Sequence, residues 1–411
     1  MKRLITLSLL CCPVLLSAQG YQIHAQGQKQ QAMGNTGTGF VQDGAGLFYN
    51  PGGVSFLKGN SASAGMSAAI VNTVYYDSIT NTTTNSEIPL GTPITFYAVY
   101  GVDSTKSKVM QNFKFGLGVY TPFGGSAKWP DGWVGRFVTK SLDLKVICIQ
   151  PTVSYKINDK IGVGAGFVYS MGSINVSKDI FISDTLGNYS TATIKGKMSG
   201  VGVNAGIYFK PTEAFSIGLT YRSQIKMNSK GATAEFKVPT SLKDSVPNGG
   251  AKLTFPLPTV ISLGFGYKLT DEFTLAFDVN YLGFKVFDTL RLDIEKNTAK
   301  LKDIADPRKF NNTFSFHVGG QYVFKEMLTA RLGMRYVISP IPDGYSTPDG
   351  GDADRLVLCG GVGYKINKHF EVDASYSFEN VVRKDNNHFY NMIGTYKTYA
   401  NFLGLSLAYN F

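Results

Sequence analysis

Apolar residues recur at every second position through most of the chain. In the last segment they are Leu403, Leu405, Leu407, Tyr409 and Phe411, and small or polar residues separate them. A period of two places alternate side chains on opposite faces of a β-strand. The same pattern predicts thirteen further strands, near residues 60–72, 93–101, 113–119, 145–157, 161–169, 201–209, 215–221, 261–267, 273–281, 314–318, 328–336, 356–364 and 370–378.

The connections between these runs alternate in length. Short polar turns at 158–159, 211–212, 270–271, 325–326 and 367–368 alternate with longer segments near 73–92, 121–144, 179–197, 239–251, 291–309, 339–353 and 384–397. Short periplasmic turns and longer external loops, with an even strand number, are typical of outer-membrane barrels. The sequence therefore predicts an all-β fold, a 14-stranded antiparallel transmembrane β-barrel over residues 60–411. A strand ending in Phe411 resembles the C-terminal signal of bacterial outer-membrane proteins, although a soluble sandwich strand would alternate similarly.

The composition agrees with a barrel. Aromatic residues make up 13% of the 411 residues, charged residues only 17%, and 46 residues are glycine. The sequence has no apolar run of the roughly 20 residues that a membrane-spanning helix needs. Glycine-rich stretches such as 162–166 continue as strands, so we interpret them as small inward positions that leave room in the lumen rather than as phosphate-binding loops.

The first 59 residues do not alternate. Residues 1–18 have a basic start, an apolar stretch and a small-residue end, which predicts a secretory signal peptide cleaved after Ala18. Residues 19–59 carry apolar Leu47, Phe48, Tyr49 and Val54. A barrel of fourteen strands is wide enough to hold such a segment. We expect it to be a hatch that plugs the lumen; a disordered periplasmic tail is the alternative.

Charge and motifs exclude other classes. The formal charge of +11 comes from dispersed lysines, without the basic stripe of a nucleic-acid-binding protein. No metal-binding or nucleophile signature is present, so we expect no enzyme, no cofactor and no metal. The aspartates of 349–354 could hold calcium, but a solvated turn is the simpler interpretation. His317 lies at an inward strand position, where it could contact either a ligand or packed side chains. Cys148 and Cys359 are expected to be unpaired.

Five collinear segments resemble one known family, the outer-membrane long-chain fatty acid transporters of the FadL/TodX type. The first runs from residue 20 through Asp43 and Phe48 to Asn50-Pro51, and resembles the family's hatch and its Asn-Pro-Ala signature, with Gly52 in place of Ala. The others are 135–157, 216–226, 257–281 and 339–355. The resemblance implies a bacterial outer-membrane protein surrounded by lipid and lipopolysaccharide, expected to be a monomer.

The resemblance also implies a function and sites. The family takes up long-chain fatty acids or other hydrophobic compounds by diffusion through a plugged barrel, with lateral exit where strand three is kinked. Here that kink would fall at Pro122, Phe123, Gly124 and Gly125; alternatively, Pro122 begins a loop. Lys178 and Arg291 are the corresponding candidates to hold a ligand carboxylate, or else loop-surface charges. Uptake of aromatic hydrocarbons, and a structural or adhesive barrel without transport, stay open as alternatives.

Overall fold

The computed structural model describes residues 21–87, 89–102, 110–387 and 389–411. The predicted signal peptide, residues 1–18, lies outside these ranges. None of the helices in the described ranges is both long and apolar enough to cross a membrane. Within them the chain forms three short helices, α1 (Gln28–Ala32), α2 (Gly46–Tyr49) and α3 (Pro51–Val54), and three 3₁₀ turns, Met110–Asn112, Thr240–Leu242 and Phe284–Val286.

Strands form everything else that is regular in the described ranges, and all of them pair antiparallel in one sheet. They are β1 (Ser61–Asp77), β2 (Thr82–Asn85), β3 (Ile94–Gly101), β4 (Phe113–Lys128), β5 (Ser141–Lys156), β6 (Ile161–Ser183), β7 (Tyr189–Phe209), β8 (Phe215–Arg222), β9 (Ile225–Lys237), β10 (Gly249–Leu257), β11 (Val260–Lys268), β12 (Phe273–Leu282), β13 (Thr289–Ile294), β14 (Ile304–Pro307), β15 (Thr313–Phe324), β16 (Leu328–Val337), β17 (Arg355–Lys365), β18 (Phe370–Asn387) and β19 (Met392–Asn410). The sheet closes because β1 pairs with β19, from Ser61↔Asn410 to Asp77↔Gly394. Closure leaves no free sheet edge in the bilayer, where unpaired backbone groups would be costly.

The barrel has fourteen strands in the described ranges, because five of its strands are interrupted. The segments β2 and β3, β8 and β9, β10 and β11, β12 and β13, and β14 and β15 each continue one another around the wall. The predicted fourteen-stranded closed antiparallel barrel is thus confirmed.

The outer face carries the apolar set of each strand. Leu405 of β19 is 60% exposed and Leu332 of β16 is 74% exposed, whereas inward neighbours such as Ser375 are buried. An apolar exterior facing lipid with small or polar residues inside is the pattern of a membrane barrel.

Several strands extend beyond their predicted ends. The segments 179–197 and 384–397, predicted as loops, are mostly strand, because β6 continues to Ser183, β7 begins at Tyr189, β18 continues to Asn387 and β19 begins at Met392. The strand hydrogen bonds continue past the bilayer, but there the outer face meets water. The alternation that marks a lipid-facing strand therefore fades, and the sequence pattern ends before the strand does.

The N-terminal segment, residues 21–59, lies inside the barrel and contacts its wall on several sides. The Tyr97 hydroxyl of β3 donates to the Gln26 carbonyl at 2.8 Å, the Ser216 hydroxyl of β8 donates to the Gly39 carbonyl at 2.7 Å, and Ser375 of β18 donates to the Gln28 side chain at 2.6 Å. Contacts with β3, β8 and β18 require the segment to lie across the lumen.

Candidate functional site

Glycines in the wall leave the room that the N-terminal segment occupies. A Cβ atom on Gly218 of β8 would lie 1.9 Å from the Thr38 carbonyl oxygen, and one on Gly333 of β16 would lie 2.2 Å from the Gly34 nitrogen. Non-bonded carbon atoms optimally pack at about 3.5–4.0 Å, so larger residues at these positions would displace the segment. The wall and the segment are therefore complementary in shape at the backbone level.

Asp278 of β12 holds the segment by its backbone. Its carboxylate accepts hydrogen bonds from the backbone N–H groups of Gly37 and Thr38, both at 2.8 Å, and of Gly39 at 3.4 Å. The carboxylate is buried, and hydrogen bonds of this charge-assisted kind compensate the cost of burying it. Asp278 thus anchors the first loop of the segment to the wall.

His317, a sequence candidate for ligand contact, instead binds the segment. One ring nitrogen lies 2.6 Å from the Gly34 carbonyl oxygen, and the other contacts Asn280 at 2.9 Å and Ser315 at 2.8 Å. His317 is inward-facing and buried, as its strand position predicts. Both ring nitrogens are engaged, so the arrangement favours its packing interpretation.

The residues assigned by resemblance to the hatch are also in the lumen. The Asn50 side chain accepts from the Gly52 N–H at 3.0 Å and donates to the carbonyl groups of Thr38 at 2.8 Å and Ile207 at 3.1 Å. Pro51 occupies the first turn of α3, where its missing N–H costs nothing. Asn50-Pro51 therefore joins α3, the preceding loop and β7.

Asp43 and Phe48 complete this part of the segment. The Asp43 carboxylate accepts from the Gln30 side chain and the Ala45 N–H, each at 3.0 Å. The Phe48 ring packs edge-on against Tyr120 with 5.0 Å between centroids. Asp43 therefore orders the loop before α2, and Phe48 connects α2 to β4.

A backbone irregularity lies in β4 at the residues predicted for the kink. Between the pairs Tyr120↔Cys148 and Phe123↔Val146, β4 has two residues where β5 has one, Ile147. One extra residue is a β-bulge, which bends the strand and interrupts its ladder. Pro122 is part of the strand, since β4 continues to Lys128.

The wall has a gap beside this bulge. Pairing between β3 and β4 ends at Thr95↔Tyr120, and the next bridge on that side of β4 is Glu87↔Lys128. In the described ranges no wall strand pairs with residues 123–127 on that side. We refer to this place as the β4 gap.

The start of the N-terminal segment fills the β4 gap. The Ile23 N–H donates to the Pro122 carbonyl at 3.0 Å, and the Gly124 N–H donates to the Tyr21 carbonyl at 3.0 Å. Gly125 admits the Tyr21 ring, since a Cβ there would lie 3.4 Å from it. The backbone groups that a neighbouring strand would satisfy are satisfied here by a segment that is not part of the wall.

A large cluster of buried apolar side chains lies inside the barrel and reaches the β4 gap. We call it the inner apolar cluster; it includes Tyr21, Phe48, Phe123, Leu144, Val146, Ile174, Met198, Ile225, Met227, Phe255, Leu257, Val260, Leu282, Phe284, Phe287, Phe310 and Ile341. An interior this apolar is unlike the polar, water-filled lumen of a porin. Its methionines and aromatic rings suit a binding region for flexible apolar molecules.

A charged group borders the inner apolar cluster at Tyr21. The Tyr21 hydroxyl donates to Asp349 at 2.6 Å, and the Arg308 guanidinium lies 3.1 Å from the same carboxylate and 2.7 Å from Asp306. Burial alone would raise the pKa of Asp349, but Arg308 and the Tyr21 hydroxyl hold that pKa below its usual value. Asp349 therefore stays charged and ties the start of the N-terminal segment to an external loop.

Lys178 and Arg291 are not brought together. Lys178 lies on the inward face of β6 near the Arg308–Asp349 pair, is partly buried, and makes no ion pair within the described ranges. Arg291 is exposed on β13, while the alternate residues Leu292 and Ile294 are buried. Only Lys178 has the inward placement that holding a ligand inside the barrel requires.

Arg222, the last residue of β8, lines a small polar cavity. Its guanidinium stacks on the Phe48 ring at 3.9 Å from the centroid. The cavity, about 20 Å³, is also lined by Gln22, His24, Asp278 and other polar residues. That is room for about one water molecule.

The structure shows no grouping of three or more potential metal ligands among the described residues. The aspartates of the 349–354 turn contact basic or polar side chains: Asp349 pairs with Arg308, Asp352 lies 3.5 Å from Arg355, and Asp354 accepts from the Ser339 N–H. Cys148 and Cys359 are both buried and free.

Three of these residues are missed as site residues by sequence reasoning. Asp278 and Arg222 lie in segments that carry the family resemblance, but a motif does not say what its members contact. The sequence signal that could have found these two residues is a charged side chain in a strand in which apolar and small residues otherwise alternate. Arg308 has no such signal, because its pairing with Asp349 joins two separate loops.

Comparison with known proteins identifies the family. Residues 9–411 match the family model described as "Outer membrane protein transport protein (OMPP1/FadL/TodX)". The chain is 23% identical over 294 residues to the long-chain fatty acid transport protein of Salmonella typhi, covering 66% of this chain and 67% of that one.

Solved structures share the fold. A FadL homologue of Pseudomonas aeruginosa superimposes with a TM-score of 0.82 at 21% identity, over 95% of this chain and 100% of that one. The toluene transporter TodX of Pseudomonas putida gives 0.74 at 18% identity, over 96% and 99%. The match to the family model spans nearly the whole chain, and the chain belongs to the OMPP1/FadL/TodX family of outer-membrane transport proteins.

Proposed function

We propose that this protein lets hydrophobic compounds, above all long-chain fatty acids, diffuse across the outer membrane. The observation that carries the proposal is the β4 gap: it is filled by the N-terminal segment, and it adjoins the inner apolar cluster through Tyr21 and Phe123. An apolar solute that enters the cluster has a short way to the lipid if that segment moves. Neither the β4 gap nor the inner apolar cluster would serve a straight, water-filled pore.

In this proposal residues 19–59 act as the hatch and the β4 gap is the lateral exit. Residues 21–23 make the hydrogen bonds that close the gap, so their displacement opens it. The Asn50-Pro51 part is held by β7 and stays in place during that movement. The polysaccharide-rich outer leaflet is thereby bypassed, and the solute leaves into the membrane rather than into water.

Fatty acids are favoured over neutral hydrocarbons because Lys178, a cation without an ion pair in the described ranges, lies near the charged group that borders the cluster. An alkyl tail gains about 0.8 kcal/mol for each CH₂ buried. A carboxylate needs a cation or several donors at the other end. Lys178 is inward-facing and has no ion pair within the described ranges, so we propose that it holds the carboxylate.

Aromatic hydrocarbons are the second candidate. TodX is a toluene transporter by name and shares this fold. The many phenylalanine rings of the inner apolar cluster would also suit aromatic compounds. A structural or adhesive barrel without transport is the alternative against which both are tested.

Binding of radiolabelled oleate, compared with toluene and with a neutral alkane, tests the proposal. Lys178→Ala should weaken oleate binding about ten- to a hundredfold, the effect of losing one charge-assisted hydrogen bond, and should spare the alkane. Arg291→Ala is the matched control, since Arg291 is exposed, and should bind oleate normally. Equal loss of acid and alkane in the Lys178 variant would exclude the carboxylate role. A chain that binds none of the three compounds would favour the adhesive barrel.

A further inference from the structure

Arg222 has no charged partner. Its guanidinium makes no hydrogen bond or ion pair within the described ranges, where it stacks on the Phe48 ring. Apart from Lys178, the basic groups deeper in the barrel have carboxylate partners: Arg331 lies 2.8 Å from Asp373, Lys29 lies 2.8 Å from Glu371, and Arg335 pairs with Glu379. Arg222 is partly buried, and removing a cation from water without a counter-ion costs free energy.

The carboxylate that shares the cavity does not neutralise Arg222. Asp278 lines the same cavity, but its two oxygens accept from the backbone N–H groups of residues 37–39. No carboxylate lies within 4 Å of the Arg222 guanidinium among the described residues. The positive charge of Arg222 is therefore available to an anion.

The cavity also contains acceptors without donors. Among the residues that line it, Gln22 Oε1, His24 Nε2 and Gln26 Oε1 are buried and have no hydrogen-bond partner. Buried polar atoms of this kind are normally paired. A carboxylate accepts from a guanidinium, and water that enters with it once Gln22 and Ile23 are displaced would supply donors to such atoms.

The position of the cavity connects it to the exit. Gln22 and Ile23 line the cavity, and the same two residues close the β4 gap through the Gln22↔Phe123 bridge and the Ile23–Pro122 hydrogen bond. Phe48, on which Arg222 stacks, belongs to the inner apolar cluster. Arg222 thus lies between the cluster and the segment that must move for lateral exit.

We infer that Arg222 is a second carboxylate site, which receives the acid group of the ligand as it passes from the inner apolar cluster to the β4 gap. The inference rests on the proposed function and deepens it by naming the residue that selects acids during passage. At about 20 Å³ the cavity has no space for an alkyl tail, so the tail stays in the cluster and the head group enters first. Entry of the head group displaces Gln22 and Ile23, which couples arrival of an acid to opening of the gap.

The test measures binding and uptake separately, in cells whose outer membrane has no other carrier of this kind. Arg222→Gln should bind oleate within about twofold of the unmodified chain, because binding uses the cluster and Lys178. Its oleate uptake should fall about tenfold or more, the effect of losing one charge-assisted hydrogen bond, while toluene uptake should not change. Arg222→Lys should recover part of the oleate uptake, and Arg291→Gln is the exposed control.

The outcomes separate the inference from the proposed function. Normal oleate uptake by Arg222→Gln would overturn the inference alone, as would equal loss of oleate and toluene uptake, which indicates a structural role. Failure of the unmodified chain to bind or take up oleate would overturn the proposed function, and the acid-selective role of Arg222 with it. A difference in migration between native and boiled samples on a denaturing gel verifies that each variant has folded into a barrel.

Discussion

Besides the ion pairs, the barrel interior contains two kinds of charged residue, which we call anchors and free charges. Asp278 is an anchor, because its carboxylate binds three successive backbone N–H groups of the N-terminal segment. Lys178 and Arg222 are free charges, each without an ion pair within the described ranges. Anchors hold the N-terminal segment in the lumen, and in the proposed function the free charges bind the acid group of the ligand.

At this scale the sequence predicts which side of the wall a residue faces, but not what it contacts. The inward position of His317 follows from its place opposite Phe316 in the alternation. Its contact with the Gly34 carbonyl joins residues that are 283 positions apart, and no local pattern encodes such a pairing. The prediction for Arg291 rests on counting from a matched strand, and counting through a hairpin does not determine on which side of the wall its exposed side chain lies.

Asp278→Ala should loosen the closed lumen. The substitution leaves the N–H groups of residues 37–39 without their acceptor, and each buried unsatisfied group costs about 1–3 kcal/mol. We expect the single-channel conductance in planar bilayers to rise. Asp293→Ala removes an exposed aspartate of β13 and is the control that should conduct like the unmodified chain. Unchanged conductance of the Asp278 variant would mean that other contacts suffice to hold the segment.

Strands and the segment they enclose fit each other through glycines rather than through large side chains. Gly218 of β8 and Gly333 of β16 allow the backbone of the N-terminal segment to lie directly against the wall. The sequence predicts small inward positions and room in the lumen. It does not predict which glycine faces which part of the segment, because that depends on the conformation of a segment without regular period.

Gly218→Ala should therefore displace the N-terminal segment. The added Cβ would lie 1.9 Å from the Thr38 carbonyl oxygen, and neither backbone can move far without breaking hydrogen bonds. Conductance should rise and the segment should become more sensitive to added protease. Gly360→Ala is the matched control, since a Cβ there meets its nearest atom at an ordinary 3.4 Å. Equal behaviour of the two variants would contradict the close fit.

The strand ends show the limit of pattern-based prediction at the scale of elements. Within the bilayer the alternation between lipid and lumen marks β6, β7, β18 and β19 clearly. Beyond it the strands continue to Ser183 and Asn387, where water replaces lipid on the outer face and polar residues are tolerated on both sides. The hydrogen-bonded ladder persists because backbone pairing needs no particular side chain.

The described part of the molecule is a closed barrel, and at the β4 gap closure depends on a segment that is not part of the wall. Within the described ranges β1 to β19 form one closed sheet, and family membership places the protein in the outer membrane. At the β4 gap the extra residue of the bulge and the missing partner on the β3 side make the wall dependent on residues 21–23. We propose that this gap is the exit for hydrophobic solutes.

Deletion of Pro122 tests that claim most directly. Removing one of the two residues between the pairs Tyr120↔Cys148 and Phe123↔Val146 gives β4 and β5 equal lengths there and restores a regular ladder between them. Because a bulge bends its strand, we expect its removal to straighten β4 towards β3 and so to close the gap in the wall. Pro122→Ala, which keeps the bulge, is the control. The measurement is oleate uptake by cells, with oleate binding by the purified protein measured in parallel. We expect the deletion to leave binding intact and to abolish uptake, while normal uptake through the repaired wall would contradict lateral exit and indicate passage straight through the lumen.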